Sequence, residues 1–378
     1  MKIALVTSEF PPMNAAAAAR MGPWQETFLK RGHDVTVFTS REARDEGNPS
    51  VWNSRYGVPS NQVGLARRFL QEIRLGRDLA WELRRRASHF DLAVITSPPF
   101  FLASMCARAA RLSKLPYVFD VRDRYPGVLF ELGTLSRDGL LGRFLSHMEQ
   151  RVYAGARSTT TVTASLVQEL IESTNSAKVS LVPNGYDGNL FPDALLKRKK
   201  RDQFTVIYHG RFSRLHDIDS LRQMANITKV LDSEIRFIIA GPLPEGLSRE
   251  NWGETTFLGE LPRNEIPELL AGCHLGVSLM KPSGAARVAM PAKAFEYFGV
   301  GLPVIAAPEG ELSVFLRKHQ VGLPFSKADP SSMAQAIVSI KNDFPAWEMM
   351  SANAWALRPS LDRRVQSVRF AKHLESLV

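Results

Sequence analysis

The feature that most restricts how this chain can fold is a unit that keeps returning: a short apolar run, a turn, then a helical stretch. KIALVT at 2–7, DVTVFT at 34–39, DLAVIT at 91–96 and LPYVFDV at 115–121 are such runs. They are strand-length and show no alternation, as strands buried on both faces of a parallel sheet do. Helices are expected between them, at about 20–30 (closed by Gly32), 62–88 and 101–114. Further strands are expected at 158–162 and 179–183, with helices near 139–153 and 164–173. Residues 41–61 are polar with scattered Gly and Pro and read as an irregular excursion. After the basic run KRKKR at 197–201 the alternation restarts. Strands are expected at 204–208, 235–240, 256–258 and 275–279, with another starting at Pro303. Helices fall at 217–230 and 264–272, and closing helices at 331–342 and 346–377. Two successive βαβ series predict two doubly wound α/β domains, with ligands at the carboxyl ends of the strands.

Composition narrows the class. A chain of 378 residues is too long for one ordinary core. Its 44% hydrophobic and 23% charged content is that of a globular protein. Only two cysteines, Cys106 and Cys273, are present, which rules out a disulfide framework or a Cys-based zinc site. MKIALVTSEFPP reads as a strand, not as an export signal, and no stretch approaches the ~20 apolar residues of a membrane span. A cytoplasmic location is therefore expected. The net charge of +10 calls for an anionic partner: phosphate, an anionic membrane or nucleic acid. No zinc-finger, helix-turn-helix or RRM signature accompanies it, so nucleic acid is not expected. The 62–88 stretch holds seven arginines against Glu72, Asp78 and Glu82, with an apolar side of Leu65, Phe69, Ile73, Leu79 and Leu83. It suits a membrane-surface patch, or a helix that packs one face and solvates the other. The KRKKR run suits a solvated linker or a lipid-headgroup contact.

The stretch PSGAARVAMPAKAFEYFGVGLPVIA, 282–306, carries the chemistry. It opens with a loop of small residues. Pro291 sits where a first helical position falls, 292–298 continues the helix, and Gly299 and Gly301 supply the exit. Lys293 and Glu296 share one face. A helix N-terminus beside such a loop favours phosphate, Lys293 adds a cation, and Glu296 offers a two-oxygen acceptor for neighbouring hydroxyls. Phosphate plus diol describes a nucleotide sugar. The same residues also suit a packed loop–helix–strand with a surface Lys–Glu pair.

In order along the chain, SEFPP…AAAAAR…RGHDVTVFT, FDLAVITSPPFFL, FDVRDRYP, VSLVPNGYD, HGRF, FLGELPRNEIPELLAGCHLGVSL and PAKAFEYFGVGLPVIA resemble the GT-B glycosyltransferases of retaining family 4. They are most similar to bacterial members that build surface polysaccharides on polyprenyl carriers, the branch with the N-acetylfucosamine transferases of O-antigen synthesis. The resemblance implies two Rossmann-like domains facing across a deep cleft. These are 1–192 on the acceptor side, with a C-terminal helix about 358–378 packing back on it, and 202–357 binding the nucleotide sugar. It implies transfer from a UDP-sugar, or another nucleotide diphosphate sugar, to a hydroxyl acceptor, with a lipid-linked saccharide at the membrane face as the acceptor. No cofactor and no metal are expected. A soluble acceptor, or sugar-nucleotide binding without catalysis, are the alternatives.

The implied roles attach to single positions. Glu296 matches the glutamate that binds ribose hydroxyls. A second family glutamate, toward the donor sugar, is replaced here by Val288. Arg211 matches the arginine that grips the diphosphate. A lysine frequent five residues on is His216 here, with Lys293 or Arg214 as the substitute cation. Ala15 and Ala16 stand where the family has a Gly-Gly pair near the donor phosphate, and alanine resists positive φ. Arg20 matches an arginine facing the cleft, or packs on its helix. Pro291 opens the donor helix. At the end of the fourth strand many members carry a histidine; this chain has Arg122 and Asp123. Asp123 is expected to orient the acceptor or exchange a proton, or else to cap a helix or pair with Arg122 or Arg124. Ser97 joins Arg122 and Asp123 on the acceptor side. Catalytic contributions are expected from Asp123, Arg211 and Lys293. The leaving phosphate takes the acceptor proton, and Arg and Lys do a cation's work.

Overall fold

The computed structural model describes residues 1–378 except 45–47, 61–62, 132, 175–177 and 198. The chain divides into two compact units, Met1–Pro183 with Gln366–Val378, and Asn184–Val365.

The first unit is built on a wholly parallel seven-stranded sheet. Its strands are β1 Lys2–Val6, β2 Asp34–Thr39, β3 Val51–Asn53, β4 Leu92–Ser97, β5 Tyr117–Val121, β6 Ser158–Thr161 and β7 Val179–Leu181. They lie in the order β3-β2-β1-β4-β5-β6-β7. Helices α1 Ala16–Lys30, α2 Leu65–Arg85, α3 Phe100–Leu112, α4 Gly127–Glu131, α5 Leu140–Gly155 and α6 Ala164–Thr174 connect them. Leu5 stands between Val37 and Val94 in register, and all three are fully buried. That is why these runs are apolar without alternation. Gly76 lets α2 lie close on α3, because a Cβ there would stand 2.8 Å from Leu102 Cα. Residues 366–378 complete this core: Phe370 packs 4.1 Å from the Trp24 ring and 5.8 Å from Phe28.

The second unit has a parallel six-stranded sheet. Its strands are β8 Thr205–His209, β9 Arg236–Ala240, β10 Thr255–Gly259, β11 Leu275–Leu279, β12 Val304–Ala307 and β13 Gly322–Pro324, in the order β10-β9-β8-β11-β12-β13. The helices are α7 Ile218–Leu231, α8 Ile266–Ala271, α9 Gly284–Val288, α10 Ala292–Phe298, α11 Glu311–His319, α12 Pro330–Asn342, α13 Phe344–Ala356, α14 Arg358–Leu361 and α15 Arg363–Glu375, the last continuing into the first unit. Ile207, Tyr297, Phe298 and Val304 belong to the core on one face, and Val206, Tyr208, Met224 and Trp347 to the core on the other.

In each sheet the strand order reverses at one place, between β1 and β4 and between β8 and β11. Such a reversal opens a crevice at the carboxyl ends of the two strands.

Several expected elements are corrected. α1 begins at Ala16, not Arg20, because the alanine run makes its first turn, as the strongest helix former does. The 41–61 excursion contains β3, paired with β2 from Val37↔Val51 to Thr39↔Asn53. The small-residue loop before α10 contains α9, whose N-cap Ser283 accepts from the Ala286 N–H at 3.1 Å. The helix expected over 346–377 is three. Tyr186 donates its N–H to Leu361 O at 3.1 Å and accepts from Arg363 N at 3.0 Å, so the backbone near Asp362 pairs with Tyr186 instead of continuing a helix. The KRKKR run is not wholly solvated: Lys200 Nζ donates to Ala271 O and Cys273 O at 2.9 and 2.8 Å, capping α8. Arg198 of that run, and residue 62 at the head of the basic stretch, lie outside the described residues.

Candidate functional site

The crevice of the second sheet is where the 282–306 stretch arrives. β8 ends in His209, and Gly210 follows with φ +106, a conformation that favours glycine. Gly241, at the end of β9, has φ +149, and a Cβ there would run into the Gly210 carbonyl. Pro291 is the N-cap of α10, not its first helical residue: its ψ of 142° is extended, and the helix starts at Ala292. Tyr297 is fully buried and fixes α10 to the sheet. Its hydroxyl stands 3.3 Å from Ile207 O and 3.2 Å from Val277 O, to which it donates, and it accepts the His209 N–H at 3.2 Å. Gly276 makes room for that ring, since a Cβ would sit 2.7 Å from it.

This anchoring sets the two charged residues of α10. Glu296 is half-buried, with Oε2 2.9 Å from His209 Nε2. Burial pushes the Glu296 carboxyl up. His209, together with the more distant Arg263 and Arg363, outweighs that and holds it below the usual glutamate value. Glu296 is therefore an ionised acceptor.

Lys293 is buried, and its Nζ lies 3.6 Å above the centroid of the Tyr208 ring, a cation–π contact. Nζ is 3.5 Å from His216 Nε2. His216 Nδ1 accepts the Ser213 N–H at 2.8 Å, which places the neutral ring's proton on Nε2, facing the lysine. Burial first, and Lys293 second, bring the His216 pKa down to about 4, with the Ser213 bond opposing. Burial brings Lys293 down to about 7, with Glu296 opposing. Among the described residues no carboxylate stands within ion-pair distance of Nζ. A buried ammonium facing a neutral imidazole donor lacks the acceptor it needs, and an anion supplies one.

Of the expected donor residues, Lys293, His216 and Glu296 thus gather around the β8 end. Arg211 does not join the buried pair: it is exposed and bonds Glu260 at 2.8 Å, a surface pair of small worth. Arg214 is exposed, without a partner among the described residues. Val288 ends α9, half-buried.

In the first unit Ala15 is the N-cap of α1, with φ −141° and ψ 155° and no side-chain cap, and Ala16 is the first helical residue. No positive φ is needed, so alanine in place of glycine is accommodated. The first amides of α1 lack carbonyl partners within the helix. Arg20 departs from the expected ligand-facing role. It is 2% exposed, and Nη2 and Nε grip Asp120 at 2.9 and 3.2 Å. Nη2 and Nη1 also reach Val182 O and Pro183 O at 2.8 and 3.1 Å. These four bonds lie inside the first unit, and its guanidinium stacks on Trp24 at 4.4 Å. Ser97 ends β4, buried, and its carbonyl accepts the Arg122 N–H at 3.0 Å. Arg122 Nη2 donates to Pro98 O at 3.2 Å, while its buried Nε has no partner among the described residues. Asp123 is exposed just after β5, and among the described residues it neither caps a helix nor pairs with Arg122 or Arg124; Arg124 binds Glu169 at 2.6 Å and approaches Glu149 at 3.8 Å.

Sequence reasoning passed over His209, Tyr208 and Asp120. The signals were present. Asp120 interrupts the apolar run YVFDV, and a carboxylate there needs a buried partner. His209 is the polar residue that ends an otherwise apolar strand.

Two parallel-sheet α/β units, each with a crevice at its order reversal, fit the GT-B class of α/β protein. Comparison identifies the group. The Glycosyl transferase 4-like domain model matches residues 16–185, and the Glycosyl transferases group 1 model matches residues 203–343. The chain belongs to the GT-B glycosyltransferases, of the family-4 kind. No curated protein sequence matches it significantly. Among solved structures it is similar to sucrose-phosphate synthase (tll1590) of Thermosynechococcus elongatus, with TM-score 0.75, 16% identity, and coverage of 100% of this chain and 98% of that one. Anabaena Alr3699/HepE, solved in complex with UDP-glucose, aligns with TM-score 0.69, 16% identity and 100% coverage of both chains. WaaG, a glycosyltransferase of lipopolysaccharide biosynthesis, aligns with TM-score 0.69 and 15% identity over 98% of this chain and 99% of that one.

Proposed function

We propose that this protein is a retaining glycosyltransferase that moves a sugar from a UDP-sugar to a hydroxyl of a lipid-linked saccharide. The observation that carries the donor half is the buried Lys293 ammonium, short of acceptors, beside the ionised Glu296 at the crevice of the second sheet. Lys293 takes a diphosphate oxygen and Glu296 the ribose hydroxyls. Arg211 leaves Glu260 to join the diphosphate, at small cost. His216 and the α10 N-terminus behind Pro291 border the same place. The HepE complexes with UDP and UDP-glucose support uracil as the base.

In the reaction the acceptor oxygen bonds to the anomeric carbon as the bond from that carbon to the diphosphate oxygen breaks. The acceptor proton passes to the leaving phosphate. Lys293 and Arg211 stabilise the charge that builds there, which is where preorganised cations act most strongly. Asp123, exposed and unpartnered among the described residues, orients the acceptor hydroxyl, with the unmatched Arg122 Nε and the Ser97 turn beside it. Donor-phosphate contact at Ala15 and Ala16 is proposed through their amides.

A lipid-linked acceptor at the cytoplasmic membrane face is favoured by one further observation. Leu140, Leu141 and Phe144, on the first turns of α5, are 90%, 49% and 57% exposed, with Arg137 and Arg143 beside them. Leu70 and Arg67 are exposed on the first turns of α2. In a parallel α/β sheet both helix starts lie at the carboxyl edge, the edge of Asp123. Apolar and cationic side chains together suit an anionic leaflet. No helix among the described residues is long and apolar enough to cross a membrane.

Thermal melting with UDP, GDP, dTDP and ADP tests the donor site. UDP should raise the melting temperature most, and Glu296→Ala and Arg211→Ala should lose most of that rise. Equal rises in wild type and both variants would remove the site. Vesicle flotation tests the membrane contact: Leu140→Ser with Phe144→Ser should abolish binding to anionic vesicles. An acceptor panel completes the test, since UDP binding without transfer to any acceptor points to a non-catalytic binder.

A further inference from the structure

The later turns of α2 carry a second feature, wholly inside the first unit and separate from the donor crevice. A groove of about 930 Å³ runs between α2, α3 and the turn after β3. Trp52, Tyr56 and Trp81 line it, and so do five arginines, Arg55, Arg74, Arg77, Arg84 and Arg108. On α2 the spacing 74, 77, 81, 84 makes one stripe.

The single carboxylate in the lining is Asp78, and it is already engaged. It accepts from Ser54 Oγ at 2.6 Å and from the Arg55 N–H at 3.3 Å, and lies 3.5 Å from Arg55 Nε. Arg74, Arg77, Arg84 and Arg108 have no ion-pair or hydrogen-bond partner among the described residues. Three other arginines of the same stretch are paired instead: Arg68 with Glu72 at 3.3 Å, Arg85 with Glu82 at 2.5 Å, and Arg86 with Glu82. So α2 leaves Arg74, Arg77 and Arg84 unpaired along the groove, while of its other arginines only Arg67, in the first turn, is also without a partner among the described residues. The aromatic side is open too. Trp81 is 64% exposed, an unusual amount of bare indole for a soluble surface. Arg55 lies 5.2 Å from the Tyr56 ring and Arg85 5.7 Å from Trp81, so each ring has a cation beside it.

We propose that this groove binds an acidic saccharide, a short stretch of sugar chain bearing carboxylate or phosphate groups. Flat aromatic rings pack on the C–H faces of sugar rings. Guanidinium forks take carboxylate or phosphate oxygens two at a time. A lone phosphate uses none of the three rings, and a neutral glycan gives the four unpaired cations no anionic oxygen to pair with. A bilayer surface leaves a concave volume of this size unfilled. The assignment does not rest on the nucleotide-sugar reading, and either can fail alone.

The test is tryptophan-fluorescence titration of the full chain with oligogalacturonate, a neutral malto-oligosaccharide of equal length, oligouridylate, and phosphatidylcholine–phosphatidylglycerol vesicles. Saturable binding of oligogalacturonate is expected. Trp81→Ala should weaken it about tenfold. Arg77→Ser with Arg108→Ser should weaken it by at least about tenfold. Lys318→Ser with Lys327→Ser, an equal loss of charge on the other unit, should leave it unchanged. The UDP-induced melting shift should survive in every variant. Four results would each overturn the assignment: no saturable binding, equal affinity for the neutral sugar, tighter binding of oligouridylate, or of vesicles by the Leu140→Ser with Phe144→Ser variant, or an equal loss in the Lys318/Lys327 pair. If the arginine pair fails to fold, Trp81→Ala still decides, because its side chain is mostly in solvent.

Discussion

At the scale of single residues the second unit turns on Lys293. Its folded pKa, brought down to about 7 by burial, is below the ordinary lysine value of about 10.4. Between those values the unfolded chain binds more protons than the folded one, so this residue's contribution to stability improves as pH rises from 7 toward 10.4; below about 7 both states are protonated and the contribution stays level at its least favourable value. Lys293→Met removes a buried cation without an acid partner and should stabilise the ligand-free protein, on the order of 1 kcal/mol, while abolishing the UDP-induced shift. A variant that melts lower than wild type would contradict the burial account. Binding carries the opposite sign. An incoming diphosphate favours the protonated amine, so UDP-sugar affinity should be full below pH 7 and fall, by at most about tenfold per pH unit, as pH rises above it. A nucleotide sugar has no phosphate proton titrating there, so calorimetric titration with UDP-glucose reads the lysine. A flat affinity across about pH 6 to 9 would show that Lys293 does not meet the phosphate.

At the scale of elements the contrast lies between what a pattern writes and what only contact decides. The strands β1, β2, β4, β5, β8 and β11 were legible because burial on both faces demands unbroken apolar runs. Lys293 and Glu296 were legible because a helix sets residues three apart on one face. β3 and β13, each three residues long, are too short to carry a period and exist through their neighbours. The break at Asp362 was hidden because its cause, pairing with Tyr186, is remote in sequence. The Arg20 contact was hidden for the same reason: Asp120 is 100 residues away, and nothing near Arg20 announces it. That pair now has a structural task, holding α1 to the end of β5, with Thr160 and Thr96 hydroxyls also on Asp120 at 2.9 and 3.3 Å. Arg20→Met leaves Asp120 buried and uncompensated, which should cost about 3–5 kcal/mol. Asp120→Asn with Arg20→Met should recover part of that loss in denaturant unfolding. If the single variant is neutral, Arg20 is not the brace its bonds describe.

At the scale of the whole molecule, the first unit is closed by the far end of the chain. Phe370 is fully buried against Trp24 and Phe28, and Glu375 binds Arg31 at 2.7 and 2.8 Å and His33 at 2.9 Å. The donor residues, by contrast, have their described anchors inside 184–365: Tyr297 to β8 and β11, and His216 to Ser213. Each unit has its own core, and domains with separate cores unfold as separate cooperative steps when little couples them. Phe370→Ala should therefore act on one step only. Emptying that site costs about 3–5 kcal/mol, which for a unit of this size lowers melting by roughly 10 °C. Scanning calorimetry with and without UDP-glucose distinguishes the steps, because the nucleotide raises only the transition of the unit that binds it. The expected trace has the Phe370→Ala transition displaced downward and the UDP-glucose-responsive transition in place with its full ligand shift. If both fall together and the ligand shift is lost, the last thirteen residues support the donor unit as well, and the contacts inside 184–365 are not sufficient to hold Lys293 and Glu296.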